Sequence, residues 1–402
     1  MATASASAAQ IRYLVESVEG TTPSGNPKRY RVTKESLNQS IEAKSSQELR
    51  ADRQVSDSTL VSGSVGGGLD WELSFKTHDE FLEALLGAAW VVGGTNGVKS
   101  CTGVTYTHST LTFASTAQFP AMEKGQWFRV SGHATATHVN GVFRCSTTVA
   151  PTTSAIVIDA AVYSPGSDGA SSTLSFSTSR LKNGLEDLKT FSIEKEFSDV
   201  DQFFMAKGMA VQSMNLNFNT GDALTGNFAF LGRTMTRDVA TMFPSGTGSE
   251  VAATTTPMIN SVNNTTVILD GVSMGDSCAE SFSLTIGTGL KERRCLGSGI
   301  GLSGVTQGSF DIKGSLNIYF GATTSAAVYD KMIADQPISF AIYCEDSNGD
   351  GYAFTFERAK IASSEVVAGG INQDVMMNLE IAATIGTASG AMICIDRLGS
   401  VA

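Results

Sequence analysis

The sequence predicts a mainly β protein made of two tandem, similar units. Each unit carries one short helix, and a small all-β domain is inserted in the first. Three observations carry this reading. The 41 glycines against 8 prolines, with many β-branched and aromatic residues, favour strands and turns over a helical bundle. Stretches such as Met214-Asn215-Leu216-Asn217-Phe218 alternate apolar and polar with period two, as a half-buried strand requires. The chain also says nearly the same thing twice. Arg50 and Arg53 precede a Ser/Gly-rich run, a strand-like stretch Leu69–Phe75 and Thr77, which opens a short helix. Downstream, Arg293 and Arg294 precede another such run, a strand-like stretch Phe310–Phe320 and Thr324, which opens a second helix. Phe81, Leu82, Leu85 and Leu86 match Val328, Tyr329, Met332 and Ile333 at one constant spacing.

In chain order, the first unit is predicted to occupy 1–90 and 179–243. It begins with a strand around Tyr30 to Ser40, then a polar loop from Ala43 to Val65, then the Leu69–Phe75 strand. Thr77 with Glu80 three residues on forms a capping box, and Gly87 supplies the helix stop. Residues 91–178 shift to Thr, Ser, Ala and Gly with short β-type runs at Leu111–Phe113, Trp127–Val130, Gly141–Arg144 and Ala155–Ile158; Asn140-Gly141 is a hairpin-turn signal. This is the inserted domain, placed in a loop where insertion is tolerated. The first unit resumes with Phe191–Phe197, Ala210–Phe218 and Ala223–Phe230. Residues 244–260, rich in Ser, Thr and Gly, are predicted to be a flexible linker. The second unit occupies 261–402, and its Glu280–Ile286 echoes Glu35–Ile41.

Charged residues are 17% of the chain and the net charge is -11, a poor basis for clamping phosphates, which needs Lys and Arg. No run of about 18 apolar residues predicts a membrane span. The N-terminus lacks the basic and apolar regions of a secretory signal. The six cysteines (Cys101, Cys145, Cys278, Cys295, Cys344, Cys394) form no CxxC pair and read as reduced thiols, with Cys101–Cys145 the one pairing to test.

Asp346, Asn348, Asp350 and Glu357 fit the twelve-residue calcium loop. Strand-like flanks replace the helices that loop needs, so the preferred reading is a hairpin turn rich in Asn, Asp and Gly, with calcium binding as the alternative. Gly299-Ile300-Gly301-Leu302-Ser303-Gly304 fits G-x-G-x-x-G, but no helix follows to receive a pyrophosphate, so it reads as a glycine loop. His78, His108, His133 and His138 have no nucleophile or orienting acid beside them and read as surface residues. No catalytic constellation and no cofactor site emerges. Arg50, Arg53, Lys291, Arg293 and Arg294, in loops of an acidic protein, are expected to meet carboxylates across a subunit interface.

Several stretches resemble the tail tube proteins of long-tailed bacteriophages, in particular a subfamily with a duplicated tube fold. They are Glu16-Ser17-Val18-Glu19-Gly20-Thr21-Thr22-Pro23, the Leu69–Phe75 strand running into Asp79–Leu86, and Lys207–Val211 leading into Leu216–Phe218 and Gly226–Gly232. With the second unit, the resemblance covers most of 11–90 and 185–400. It implies a β-sandwich with a flanking helix in each unit, one sheet of which joins its neighbours in a barrel around a lumen. Rings would stack into a virion tail tube, assembled in the bacterial host cytoplasm. Two units per chain imply a homotrimeric, pseudo-sixfold ring, with a homohexamer as the alternative. The resemblance also implies tail terminator, distal tail and tape measure proteins as partners, and double-stranded DNA in passage without tight binding.

A lumen that passes DNA without gripping it is expected to be acidic or neutral. Glu194, Glu196, Asp222 and Glu380 are the candidates for its wall. The competing readings are another ring-forming virion component, or a capsid decoration protein whose inserted module binds glycans through Trp127, Tyr106 and Phe128. A calcium-dependent enzyme is a third.

Overall fold

The computed structural model describes residues 3–162, 165–186, 188–244, 250–263, 265–274, 278–297, 299–368 and 370–400. Fourteen strands carry the argument. In the first unit they are β1 (Ala9–Val15), β2 (Asn38–Ser45), β3 (Ser58–Glu72), β4 (Thr190–Phe197), β5 (Gln202–Asn219), β6 (Thr225–Gly232) and β7 (Thr234–Asp238). In the second they are β8 (Thr265–Leu269), β9 (Ala279–Gly287), β10 (Asp311–Tyr319), β11 (Ile338–Glu345), β12 (Gly351–Ala368), β13 (Val375–Ala383) and β14 (Cys394–Leu398). Helix α1 (Asp79–Leu86) follows β3, and α2 (Thr324–Ile333) follows β10.

The two units share one topology. In the first, β2 pairs β3, β3 pairs β6, β6 pairs β5, β5 pairs β4 and β7, and β4 pairs β1. In the second, β9 pairs β10, β10 pairs β13, β13 pairs β12, β12 pairs β11 and β14, and β11 pairs β8. Irregularities recur at the same places. β5 shifts register against β6 between Val211 and Ser213, and β12 shifts against β13 between Ile361 and Ser363. Such bulges bend a strand, which lets both 18-residue strands serve one sheet with their first half and another with their second.

These pairings fix the equivalence. Gly67 corresponds to Gly314 and Leu69 to Leu316, at the spacing that relates the two helices in the sequence. The Glu35–Ile41 echo is out of register by two residues: Glu35 faces Leu69, so its counterpart is Phe282, which faces Leu316. A shift of two keeps every side chain on its face, so alternation alone could not reveal it.

The core runs unbroken beneath both units. Leu69, Trp71, Phe228, Leu216, Phe282, Leu316, Leu379 and Phe354 belong to one buried cluster. Helix α1 buries Phe81, Leu82, Ala84, Leu85 and Leu86, and stops at Gly87 with φ 57°. Its N-cap is His78, not Thr77: the Thr77 hydroxyl accepts from Ser74 at 2.7 Å and Glu80 pairs with Lys28. Helix α2 follows the same pattern less deeply, with Val328 buried and Ile333 69% exposed.

Residues 98–177 build a separate six-stranded sheet with its own core of Val104, Phe113, Phe128, Phe143 and Phe176. Asn140 is not the corner of a two-residue turn there. It closes a longer loop, its amide bonding His133 N–H at 2.9 Å and His133 C=O at 3.0 Å. The described part of the expected linker is docked: Val251 N–H bonds Pro27 C=O at 2.9 Å, and Ile259 is buried and bonded to Leu73. Residues 245–249 of that segment lie outside the described residues. Cys101 and Cys145 do not pair with each other, and no disulfide forms among the described residues.

Candidate assembly edges and polar face

The two units meet through strands. The second half of β5 pairs β9 with Ser213 opposite Gly287, Asn215 opposite Thr285, Asn217 opposite Ser283 and Asn219 opposite Ser281. One continuous eight-stranded sheet results, in the order β2-β3-β6-β5-β9-β10-β13-β12. Its outer strands are β2 and the second half of β12, and each pairs on one side only within the described chain. These ends are equivalent to the strands joined inside: β12 corresponds to β5, and β2 to β9. The chain therefore ends in the two halves of a junction it already contains.

Directly opposed residues share a sheet face, and neighbours along a strand alternate between faces. One face of the eight-stranded sheet packs on the core. The other is polar, and a single row across it reads Glu72, Thr225, Asn217, Ser283, Ser315, Glu380 and Ser363. The next row includes Asp70, Asn227, Asn215, Thr285 and Lys313. Short side chains bond across strands here: Thr285 donates to Asn215 at 2.8 Å, Ser315 to Asn378 at 3.1 Å, and Asn227 to Asp70. Of the lysines on this face, Lys313 and Lys360 are paired with Asp311 and Asp335, both at 2.7 Å, and Lys34 stands exposed opposite Asp70. Asp70, Glu72, Glu365 and Glu380 leave an excess of negative charge.

Of the acids expected to line a wall, only Glu380 lies on this face. Glu194 is fully buried on the other sheet of its unit, accepting from Thr241 at 2.9 Å and Met242 N–H at 2.7 Å, with Arg12 beside it. Glu196 pairs with the same Arg12. Asp222 sits in the turn between β5 and β6, at the rim. In the second unit, the positions of Arg12, Glu194 and Glu196 hold Ile268, Ala341 and Tyr343. That apolar version is covered by the inserted domain, whose Trp127 stacks on Tyr343 at 5.7 Å and donates to Thr355 at 3.0 Å. The insertion thus sits on the side of the second unit away from the polar face. Trp127, Tyr106 and Phe128 are no more than 2% exposed, so they present no surface for a sugar to stack on.

The loop cations divide. Arg50 is satisfied locally by Asp52 at 2.7 Å, and Arg53 holds a turn with φ 58°. Lys291 and Arg293 lie on a short exposed strand, while Arg294 pairs with Glu292 and donates to Gly63 C=O at 3.2 Å in the other unit. Asp346 closes a hairpin turn, accepting from Asn348 N–H at 2.8 Å and Asp350 N–H at 3.0 Å. Glu357 lies six residues along β12, roughly 20 Å away, and its carboxylate, held below the usual range by hydrogen bonds against the pull of burial, accepts from Ala388 N–H and Ser389 N–H. The four calcium-loop positions are therefore not brought together.

Two histidines are buried, contrary to expectation. His78 is neutral: burial pushes its pKa to about 3, with Tyr30 at 2.6 Å on Nδ1 and Glu72 C=O at 3.1 Å on Nε2. His133 is 2% exposed and accepts from Ala136 N–H at 3.0 Å.

The family model for phage tail tube proteins matches residues 6–386. No curated protein matches. Among solved structures, the SPP1 tail tube, determined by solid-state NMR and cryo-EM, is similar at 14% identity, covering 48% of this chain and 78% of that one with a TM-score of 0.20. The assignment rests on the family match, which spans nearly the whole chain, and not on that likeness. The chain belongs to the phage tail tube protein family, and is a structural, non-enzymatic component of the virion tail that assembles with copies of itself into a stacked tube.

Proposed function

We propose that three chains close each ring of the tube, and that the polar face of the eight-stranded sheet lines a channel for double-stranded DNA. The observation that carries this is the pair of open edges, β12 and β2, equivalent to the β5–β9 junction inside the chain. Transferred by that equivalence, the internal register sets Ser363 opposite Ser40, Glu365 opposite Asn38 and Val367 opposite Ser36 of the next copy. Closure removes both edges, which otherwise invite unwanted pairing.

Bore size separates the stoichiometries. Strands about 4.8 Å apart and tilted about 40° give a backbone radius of roughly 24 Å for three chains and roughly 16 Å for two. After about 5 Å of side chain on each wall, three chains leave a bore of roughly 38 Å and two leave roughly 22 Å. Duplex DNA is about 20 Å wide, so only the larger bore holds it with its water and counterions.

The face suits passage. Its side chains are mostly Asn, Ser, Thr and Gly, Lys313 and Lys360 are occupied by carboxylates, and Lys34 stands opposite Asp70, so acids outnumber the cations left unpaired. The sequence division at 1–90 with 179–243, 91–178, 244–260 and 261–402 belongs to this reading, with the insertion pointing out from the tube. So do contacts of Arg50, Arg53, Lys291 and Arg293 with neighbouring copies, and capping of the tube by terminator, distal tail and tape measure proteins. Assembled tubes in low salt are expected to retain no more duplex DNA than a buffer blank. Substituting Asp70, Glu72, Glu365 and Glu380 by lysine should produce retention that salt abolishes. Strong retention by unsubstituted tubes would contradict the channel.

A further inference from the structure

Residues 41–63 and 288–310 are segments of equal length joining equivalent strands: Ser40 faces Ser64 at the base of one, and Gly287 faces Asp311 at the base of the other. They fold differently. The described residues of 288–310 leave the sheet, pair Lys291–Arg293 with Gly304–Thr306, and lie on the first unit. Ile300 C=O accepts from Gly63 N–H at 2.8 Å, and Arg233 Nε donates to Leu302 C=O at 3.1 Å. Leu302 and Val305 are buried against Ala210 and Leu231.

Residues 41–63 instead extend the β2–β3 ladder to Ser45 opposite Ser58. They leave Leu49 and Val55 exposed, with Leu60 53% and Val61 46% open to solvent. The surface where this segment would land by analogy is on the second unit. Through the shared bulges, Ala210, Leu231 and Arg233 correspond to Lys360, Ala382 and Thr384. No segment equivalent to 288–310 covers them among the described residues, and Ile385 beside them is 64% exposed.

We propose that residues 41–63 of one copy dock on the second unit of the adjacent copy in the ring, with Val55 taking the place that Leu302 has inside the chain. This rests on the ring reading above. The occupant is fixed by continuity: the copy whose Asn38–Ser40 meets β12 carries this segment at the adjoining position, as β9 carries 288–310 beside β5. To reach it, Ile41–Ser45 separate from Ser58–Gly63. That ladder is already irregular, with a register shift between Glu42 and Ala43. The segment then exchanges a two-stranded extension, marginal by itself, for burial of its exposed valine and leucine side chains.

The test is disulfide trapping in assembled tubes of the full chain, with Cys278→Ser and Cys295→Ser to remove the exposed thiols. Val55→Cys with Ile385→Cys is compared with Asn38→Cys with Glu365→Cys, the edge pair. The proposal expects the 55–385 pair to give closed covalent trimers under non-reducing conditions, with at least half of the chains captured, because three links within one ring complete a circle. Open polymers longer than three chains would place the segment on the next ring and overturn it. No 55–385 product while the 38–365 pair forms trimers overturns the docking and leaves the ring standing. Absence of both products overturns the ring and the docking with it.

Discussion

Replacing Asp396 with alanine is expected to lower stability by about 3–5 kcal/mol, the range for breaking a buried ion pair from one side. Asp396 is fully buried on β14, and burial pushes its carboxyl above the usual range against the pull of Arg180. Arg180 Nε and Nη2 each donate to it at 2.7 Å, and Trp127 N–H donates at 3.0 Å. One side chain therefore joins the second unit, the strand Ser179–Lys182 and the inserted domain. In the alanine variant, Arg180, only 3% exposed, keeps just longer contacts to Gly125 C=O at 3.1 Å and to Lys124 C=O and Glu123 at 3.4 Å. Denaturant unfolding measures the loss. Asp396→Asn should recover part of it, since its amide oxygen still accepts from Trp127 N–H. An unchanged midpoint for Asp396→Ala would contradict the role given to this residue.

Gln39→Pro is expected to abolish tubes while leaving the chain folded. Ser36 N–H bonds Gly68 C=O, so the N–H groups of even-numbered residues there point to β3 and that of Gln39 points to the open edge. Its counterpart inside the chain is Ile286, whose neighbour two residues on, Thr288, donates to Gln212 C=O at 3.0 Å across the β5–β9 junction. Proline removes the donor and sets its ring where the next copy's strand must approach, a position an unpaired edge tolerates. One lost edge bond of about 1.4 kcal/mol raises the concentration needed for assembly about tenfold, and the ring clash adds to that. Sedimentation separates tubes from single chains. Tubes at wild-type concentration would contradict the edge assignment, and Ile286→Pro, the equivalent change at the junction inside the chain, should unfold it instead.

Much of this was legible in the sequence because the repeat was. The constant spacing between Phe81 and Val328 is the spacing that makes Gly67 and Gly314 equivalent in the folded chain, opposite Phe230 and Ile381. Alternation in Met214–Phe218 identified a half-buried strand, and Met214, Leu216 and Phe218 are buried while Asn215 and Asn217 are not. Alternation does not say which sheet a strand joins. Glu194 and Asn217 both sit in alternating strands, but β4 belongs to the sheet covered by residues near 241, and β5 reaches the polar face only beyond its bulge. Glu72 and Asp70, which alternate with Trp71 and Leu69, carried a usable signal. Glu365 did not, because β12 is exposed on both faces at the edge. The glycine loop at Gly299–Gly304 read as loose, and its contacts to Gly63 and Arg233 are long-range, invisible to local pattern.

The most direct test of the central claim is a cryo-EM reconstruction of the assembled tube, resolving strands in cross-section. It should show three chains per ring in a single wall of about 24 strands, eight from each chain, with β12 of one copy hydrogen-bonded to β2 of the next and Asn217 and Glu380 facing the bore. A ring of six chains, or a wall in which β2 and β12 remain unpaired, would contradict it.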